Sequence, residues 1–214
     1  MWSDTIGTVS SPKTETSKRP YDLGKRLEQM DQKRAAILTA ARRQLEAGSY
    51  RELTMGLLAA ESGVTRQTIH NLFGTRAAVL EALFDVLALD GGMEKMREVM
   101  TQPTPEAMLE RFVQIFLGFW AGNRVLFRRV HGIGAIDPVL GGVLEARNRR
   151  RLMAATRIAG LSGVRNNLDQ TAAALAALTS FEFYDALASY STGDSDAAAT
   201  TLELARHLLS RARS

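Results

Sequence analysis

The sequence predicts an all-α protein, and three observations support this prediction. Alanine and leucine are abundant and recur at three- and four-residue intervals, whereas no alternation of Val, Ile and Thr is long enough to form a strand. Two pairs, Thr104-Pro105 and Asp137-Pro138, place a capping side chain before a proline, which is typical of helix starts. With 214 residues, 45% of them hydrophobic, the chain can bury one large core or two modest ones.

The composition excludes several classes of protein. No stretch approaches the roughly 20 uninterrupted apolar residues that a bilayer crossing needs, so we expect no membrane partner. The absence of cysteine rules out disulfides, thiolate zinc sites and iron–sulfur clusters, and we expect no cofactor. The N-terminus lacks the apolar run of a secretory signal, which predicts a cytoplasmic protein.

The positive charge is concentrated at the N-terminus. Residues 1–76 hold 12 Lys and Arg against 8 Asp and Glu, whereas residues 77–214 hold 15 of each. This asymmetry is typical of a region that faces a polyanion, although chance explains it equally well. Residues 1–20 are rich in Ser, Thr, Lys and Pro, which predicts a flexible arm that either touches phosphates or stays in solvent.

The elements of the N-terminal third follow in order. Apolar positions from Leu23 to Leu45 predict a first helix that ends at Gly48. Threonines then precede three helices: Thr54 before 55–61, Thr65 before 66–72, and Thr75 before a longer apolar helix that ends at Gly91. We therefore predict one domain over residues 21–90.

The remaining residues, 91–214, are predicted to form a second helical domain. Residues 93–100 form a short helix or a linker. Glycines and caps mark five further helices, near 105–121, 124–132, 138–159, 168–190 and 195–212.

Two short helices joined by a turn at Gly63 predict a helix-turn-helix. Its inner face is apolar, with Leu58, Ala59, Val64, Ile69 and Phe73. The second helix presents polar groups outward, namely Arg66, Gln67, Thr68, His70 and Asn71. A helix of this kind fits the major groove of DNA, where such groups distinguish bases.

A family resemblance extends over about 50 residues, 33–84. The positions that carry it are Ile37-Leu38, Ala40-Ala41, Gly48, Tyr50, Leu53-Thr54-Met55, Leu58-Ala59, Ser62-Gly63-Val64-Thr65, Thr68-Ile69, Leu72-Phe73, Thr75-Arg76 and Leu80. In this order and spacing they resemble the DNA-binding domain of the TetR-like bacterial transcription regulators. The rest of the chain is similar to that family only in length and helical layout.

The resemblance implies DNA contacts at named positions. Arg66, Gln67 and Thr68 lie where the family reads bases, and Asn71 is a further candidate. Thr54 and Thr65 begin helices, where backbone N–H groups suit a phosphate; as caps they serve the fold in either case.

The chain departs from the family at three positions. His70 stands where a phosphate-binding Tyr is usual. Leu72 replaces a residue that is commonly aromatic or polar, so one backbone contact is absent. Arg76 stands where Lys is usual, which preserves a phosphate-binding charge.

The resemblance also implies a homodimer on two half-sites of a palindromic operator. The last two predicted helices offer an apolar seam next to an alanine-rich stretch, and the alternative is that these helices complete the monomer core. The seam residues are Leu175, Leu178, Leu202, Ala205, Leu208 and Leu209.

A pocket for a small apolar effector is the third implication of the resemblance. Its expected apolar lining is Phe112, Phe116, Trp120 and Phe127, with His131, Asn148 or Tyr184 as polar anchors, although aromatic residues at helical spacing also fit a plain core. The arginines at 147 and 149–151 are predicted to form a solvated helix face, because neighbouring residues of a helix point in different directions.

We therefore predict a DNA-binding transcription regulator, a repressor that a small effector releases from its operator. The rival interpretation is a helical ligand-binding or interaction protein in which the helix-turn-helix is only a scaffold. No enzyme is expected, because the three histidines show no metal-ligand spacing and no nucleophile or phosphate-loop motif is present.

Overall fold

The computed structural model describes residues 19–47, 53–191 and 193–213, and within these ranges it contains helices and no strand. The 3₁₀ turn Met93–Lys95 precedes α5. The helices are α1 Arg19–Ala47, α2 Met55–Ser62, α3 Arg66–Phe73, α4 Arg76–Asp90, α5 Met96–Val99, α6 Pro105–Gly134, α7 Pro138–Leu161, α8 Leu168–Leu178, α9 Phe181–Ala188 and α10 Asp194–Arg213. The predicted all-α fold is confirmed.

The first helix differs from its prediction at its start. It begins at Arg19, so the last two residues of the predicted arm are helical, while residues 1–18 lie outside the described ranges. It ends at Ala47, next to the predicted end at Gly48. Gly48 and Tyr50, which the family resemblance includes, also lie outside the described residues.

Of two further predicted boundaries, one was confirmed and one was wrong. The helices predicted at 105–121 and 124–132 meet at a kink within α6: Asn123, between them, has non-helical dihedral angles (φ −129°, ψ 18°), and its side chain donates to the Phe119 carbonyl at 3.0 Å. The helix predicted at 168–190 is instead divided into α8 and α9. It breaks there because Ser180 begins a new helix, its hydroxyl accepting from the Phe183 N–H at 3.2 Å.

The core is continuous between the two predicted domains. In the N-terminal region, Leu45, Leu58 and Ile69 are fully buried where α1, α2 and α3 meet. Helix α4 packs against α7, and the rings of Phe84 and Phe127 lie 6.0 Å apart across the junction of α4 with α6. Because these helices pack closely, a movement of α6 or α7 also displaces α4.

Helices α6, α7, α8 and α10 form the bundle of the C-terminal region, with α9 packed on α6. Over the ranges described, none of the helices has the length and apolar character that crossing a bilayer requires. The same ranges contain no cluster of acidic, His or Cys side chains suited to a metal ion.

Candidate nucleic-acid interface and ligand cavity

The turn between α2 and α3 is built from hydroxyl caps and one glycine. The Thr54 hydroxyl accepts from the Leu57 N–H at 3.2 Å, and the Thr65 hydroxyl accepts from the Thr68 N–H at 3.1 Å. Gly63 ends α2 with φ 69° and ψ 20°, a left-handed conformation that favours glycine. These local interactions fix the direction in which α3 leaves the turn.

The outer face of α3 is polar and open to solvent. Ile69 is fully buried beneath the helix, whereas Arg66, Gln67, His70 and Asn71 are exposed and Thr68 is partly exposed. The Gln67 amide donates to the Asn71 side-chain oxygen at 2.8 Å, so these two residues form a preorganised pair. The five polar residues that were predicted to face outward from α3 are thus exposed or partly exposed.

Arg66 also contacts the start of α2. A Cβ added to Gly56 would lie 2.3 Å from one of the Arg66 terminal nitrogens. The guanidinium therefore rests over Gly56, and it must change rotamer to reach a base edge deep in a groove. Sequence reasoning did not assign this role to Gly56, because the contact joins two helices.

Arg76, at the start of α4, contacts Asp137 at the start of α7. Its guanidinium donates to both oxygens of Asp137, at 3.0 and 2.7 Å, while Asp137 also caps α7 by accepting from the Leu140 N–H at 2.8 Å. Arg76 therefore joins α4 to the start of α7. The sequence indicated the cap at Asp137 but gave no signal for a partner so distant along the chain.

A cavity of about 320 Å³ lies between α4, α6 and α7, beside the Met93–Lys95 turn. Five of the seven predicted effector residues line it: Phe116, Trp120, Phe127, His131 and Asn148. The other lining residues are Phe84, Ala88, Met93, Met96, Phe119, Leu144, Arg147, Arg150, Arg151 and Ala154. Its wall is thus apolar and aromatic on α4 and α6 and largely basic on α7.

Phe112 and Tyr184 do not line this cavity, contrary to prediction. Phe112 is fully buried with its ring 5.0 Å from that of Phe116, so it supports a wall residue from behind. Tyr184 is also fully buried and donates to Asp194 at 2.5 Å. Burial, reinforced by this hydrogen bond, raises the pKa of Tyr184 to about 12.

The basic run on α7 is not a solvated face throughout. Arg147 donates to the Glu81 carbonyl at 3.0 Å and forms ion pairs with Glu81 at 3.2 Å and with Asp85 at 2.8 Å. Arg151 is only 8% exposed and lies 5.7 Å from the centre of the Phe116 ring. Burial lowers the pKa of its guanidinium.

A signal for the buried arginines was present in the sequence. Arg147 and Arg151 are four residues apart and continue the apolar stripe that runs from Leu140 to Ile158 along α7. The prediction of a solvated face considered only that consecutive residues diverge, and it missed this stripe.

His131 contacts Glu182 at the edge of the cavity. Its Nδ1 lies 2.7 Å from an oxygen of Glu182 on α9. This hydrogen bond lowers the pKa of Glu182 from its usual value of 4.5 to about 2. The pair therefore holds His131 against α9.

The predicted dimer seam divides into two sets. Leu175, Ala205 and Leu209 are buried within the chain itself, so a partner cannot reach them and their prediction as interface residues was wrong. Leu178, Leu202 and Leu208 are only partly buried. Beside them, an open groove of about 930 Å³ runs between α8 and α10, lined in part by Ala174, Ala177, Phe183 and Leu204.

Comparison with known proteins agrees with the helix-turn-helix and with the helical fold. Residues 37–83 match the model of a family described as "Bacterial regulatory proteins, tetR family". A curated relative, the HTH-type transcriptional regulator EthR of Mycolicibacterium smegmatis, is 31% identical over 121 residues, which cover 56% of this chain and 52% of that protein. The match thus spans about half the length of this relative.

Solved structures share the fold over most of the chain. A TetR-like transcriptional regulator from Rhodococcus sp. RHA1 has a TM-score of 0.62 and 19% identity, covering 83% of this chain and 96% of its own. A candidate transcriptional regulator from Saccharomonospora viridis, solved in complex with choline, has a TM-score of 0.54 and 19% identity, covering 81% of this chain and 95% of its own. At this identity, the likeness concerns the fold.

Proposed function

We propose that the chain is a TetR-like regulator that binds duplex DNA by placing α3 in the major groove, since residues 37–83 match the tetR family model. The exposed outer face of α3 is the observation that supports this most directly. Arg66, Gln67 and Thr68 read base edges, with Asn71 as a further contact, and the helix starts at Thr54 and Thr65 receive phosphates.

Phosphate binding by His70 and Arg76 completes this proposal. His70 is exposed on α3 and carries a hydrogen-bond donor. Arg76 begins α4, but a phosphate competes with Asp137 for its guanidinium. Contact between Arg76 and DNA therefore depends on how α4 sits relative to the α6–α7 junction.

We further propose a homodimer that brings two copies of α3 to the halves of a palindromic operator. The open groove between α8 and α10 supports this arrangement, because Leu178, Leu202 and Leu208 remain partly exposed next to small alanines. Two such faces packed together form a four-helix bundle.

Regulation by a small molecule follows from the position of the cavity. Its wall residue Arg147 is bound to Glu81 and Asp85 of α4, the helix that carries the N-terminal domain. A ligand that displaces α7 therefore moves the residue 21–90 domain and releases the operator, a coupling of typically about 1–3 kcal/mol. The choline complex of the neighbour from Saccharomonospora viridis supports a small-molecule site in this fold.

The test is equilibrium binding to duplexes selected by this protein from random genomic fragments. We expect sequence-selective binding that falls by about 10³- to 10⁵-fold between 50 and 200 mM salt, because six to ten phosphates are contacted. Scrambled duplexes of equal length serve as controls. Failure to select any sequence would instead favour the rival interpretation, in which the helix-turn-helix is only a scaffold.

A further inference from the structure

The charged side chains that line the cavity are all basic. Three arginines on α7, at positions 147, 150 and 151, belong to its wall, together with His131 and Asn148. Of the described residues that line it, none is an aspartate or glutamate. A cationic ligand would meet no countercharge on this wall, whereas an anionic ligand would meet several.

The arginines of α7 differ in their partners. Arg147 is neutralised by Glu81 and Asp85, and Arg149 lies outside the cavity, 3.5 Å from Glu145. Arg151 has no carboxylate within 4.0 Å in the part of the chain that the structure describes, and its buried Nε has no hydrogen-bond partner. Arg147 also has a buried Nε without a partner, but two carboxylates of α4 neutralise its charge, and Arg150 is exposed to solvent. Among the described arginines of the wall, Arg151 is therefore the one that is buried and lacks a carboxylate partner.

The acidic residue that most influences Arg151 is already engaged. Glu182 attracts the guanidinium electrostatically, but its carboxylate is bound to His131 at 2.7 Å. Arg151 is buried and has no carboxylate partner among the described residues, so its charge carries a desolvation cost that a bound anion would offset. The ring of Phe116, 5.7 Å away, provides only a weak substitute.

We propose that the ligand of this cavity is an amphipathic monocarboxylate, whose head binds the Arg151 guanidinium and whose apolar tail lies against Phe116, Trp120 and Phe127. This inference rests on the ligand site of the proposed function and names its chemical class. A planar carboxylate matches the two-pronged donor pattern of arginine, and one unpaired guanidinium neutralises one negative charge.

The size and shape of the cavity limit the apolar tail that the ligand can have. A volume of about 320 Å³ lies near the lower end of the range for small-molecule sites, which suits a medium-chain fatty acid or an arylalkanoic acid. The Trp120 and Phe127 rings meet edge to face, 4.9 Å apart, and form a firm apolar floor. Met93 and Met96 provide an adaptable wall opposite.

The experiment titrates the full chain, without DNA, with decanoate, decanol and decylammonium, using calorimetry and tryptophan fluorescence, to which Trp2 and Trp120 both contribute. The three probes share a tail and differ in the charge of the head. We expect decanoate to bind at least about tenfold more tightly than decanol, because a charge-assisted hydrogen bond is gained, and decylammonium to bind most weakly.

Two arginine variants of the same helix locate the effect. Arg151→Gln is expected to remove the preference for decanoate over decanol, whereas Arg149→Gln, the matched control outside the cavity, retains it. Thermal melting of both variants verifies that they are folded. If Arg151→Gln does not fold, the relative affinities of the three probes for the unmodified chain test the proposal.

Equal affinity for decanoate and decanol, or binding of none of the three probes, would overturn the proposal. A retained preference in folded Arg151→Gln would overturn it too. These outcomes are separate from the proposed function, because DNA binding is measured without any of the probes and the probes are titrated without DNA.

Discussion

The outer face of α3 and the inner face of α7 both present arginines, but in opposite environments. On α3, Arg66 and its polar neighbours are exposed and bond only to nearby groups, as in the 2.8 Å contact between Gln67 and Asn71. On α7, Arg147 is bound to acidic side chains of α4, and Arg151 is buried beside an aromatic cavity. An exposed face suits a large polyanion, whereas a buried arginine suits one small anion.

Among the substitutions that test the difference between the α3 and α7 faces, the one at Arg66 is expected to have the largest effect. On a selected operator duplex, Arg66→Ala should weaken binding by about 1–3 kcal/mol and relax the base preference, because a base-edge contact is lost. Anisotropy titrations with single-base variants of the duplex measure both effects. Arg149→Ala, which removes the same charge far along the chain, should change neither.

The contact between Arg66 and Gly56 suggests which result would contradict this prediction. If Arg66→Ala weakens binding to every duplex by the same factor, then its guanidinium binds phosphate from its present place at the start of α2. The assignment of Arg66 as a base reader would then be wrong.

A smaller effect is expected at the junction between the two regions, where Arg76 meets Asp137. A double-mutant cycle with Arg76→Ala and Asp137→Asn should give a coupling free energy of unfolding of about 1 kcal/mol, because the pair is only partly exposed and doubly hydrogen-bonded. Asparagine is chosen because it preserves the helix cap. Denaturant titrations of the four proteins measure the coupling.

The same variant tests the competition between Asp137 and DNA. Asp137→Asn removes the negative charge that competes with phosphate for the Arg76 guanidinium, so binding to a scrambled duplex at low salt should increase. A coupling near zero together with unchanged duplex binding would show that this contact joins neither the regions nor their functions.

Local patterns in the sequence were sufficient to predict the N-terminal helices and the exposed outer face of α3. The caps at Thr54, Thr65 and Thr75 act within three residues, so the sequence around each of them contains the whole interaction. The exposure of α3 likewise follows from a helix with Ile69 on one side and polar groups on the other.

Contacts between distant residues were not predictable in the same way. Arg76 and Asp137, or Arg147 and Glu81, meet only because α4 packs against the start and middle of α7. The cavity lining was largely predicted from its aromatic residues. Its charge was missed, because the burial of Arg151 depends on how α6 packs against α7.

The smallest expected effect concerns Glu182, which lies at the border between solvent and the cavity. Because its pKa is lowered to about 2 by the hydrogen bond to His131, the ionised carboxylate stabilises the folded state above its usual pKa of 4.5, and this contribution is lost as the pH falls toward 2. The side chain is 62% exposed, so solvent screening keeps the effect small. Glu182→Gln should therefore flatten the acid limb of a denaturation profile between pH 4.5 and 2, whereas Glu203→Gln, an exposed substitution on α10, should leave that limb unchanged. An identical acid limb in Glu182→Gln and the unmodified chain would mean that His131 is not held against α9 in solution, and that its ring is free to turn toward a ligand in the cavity.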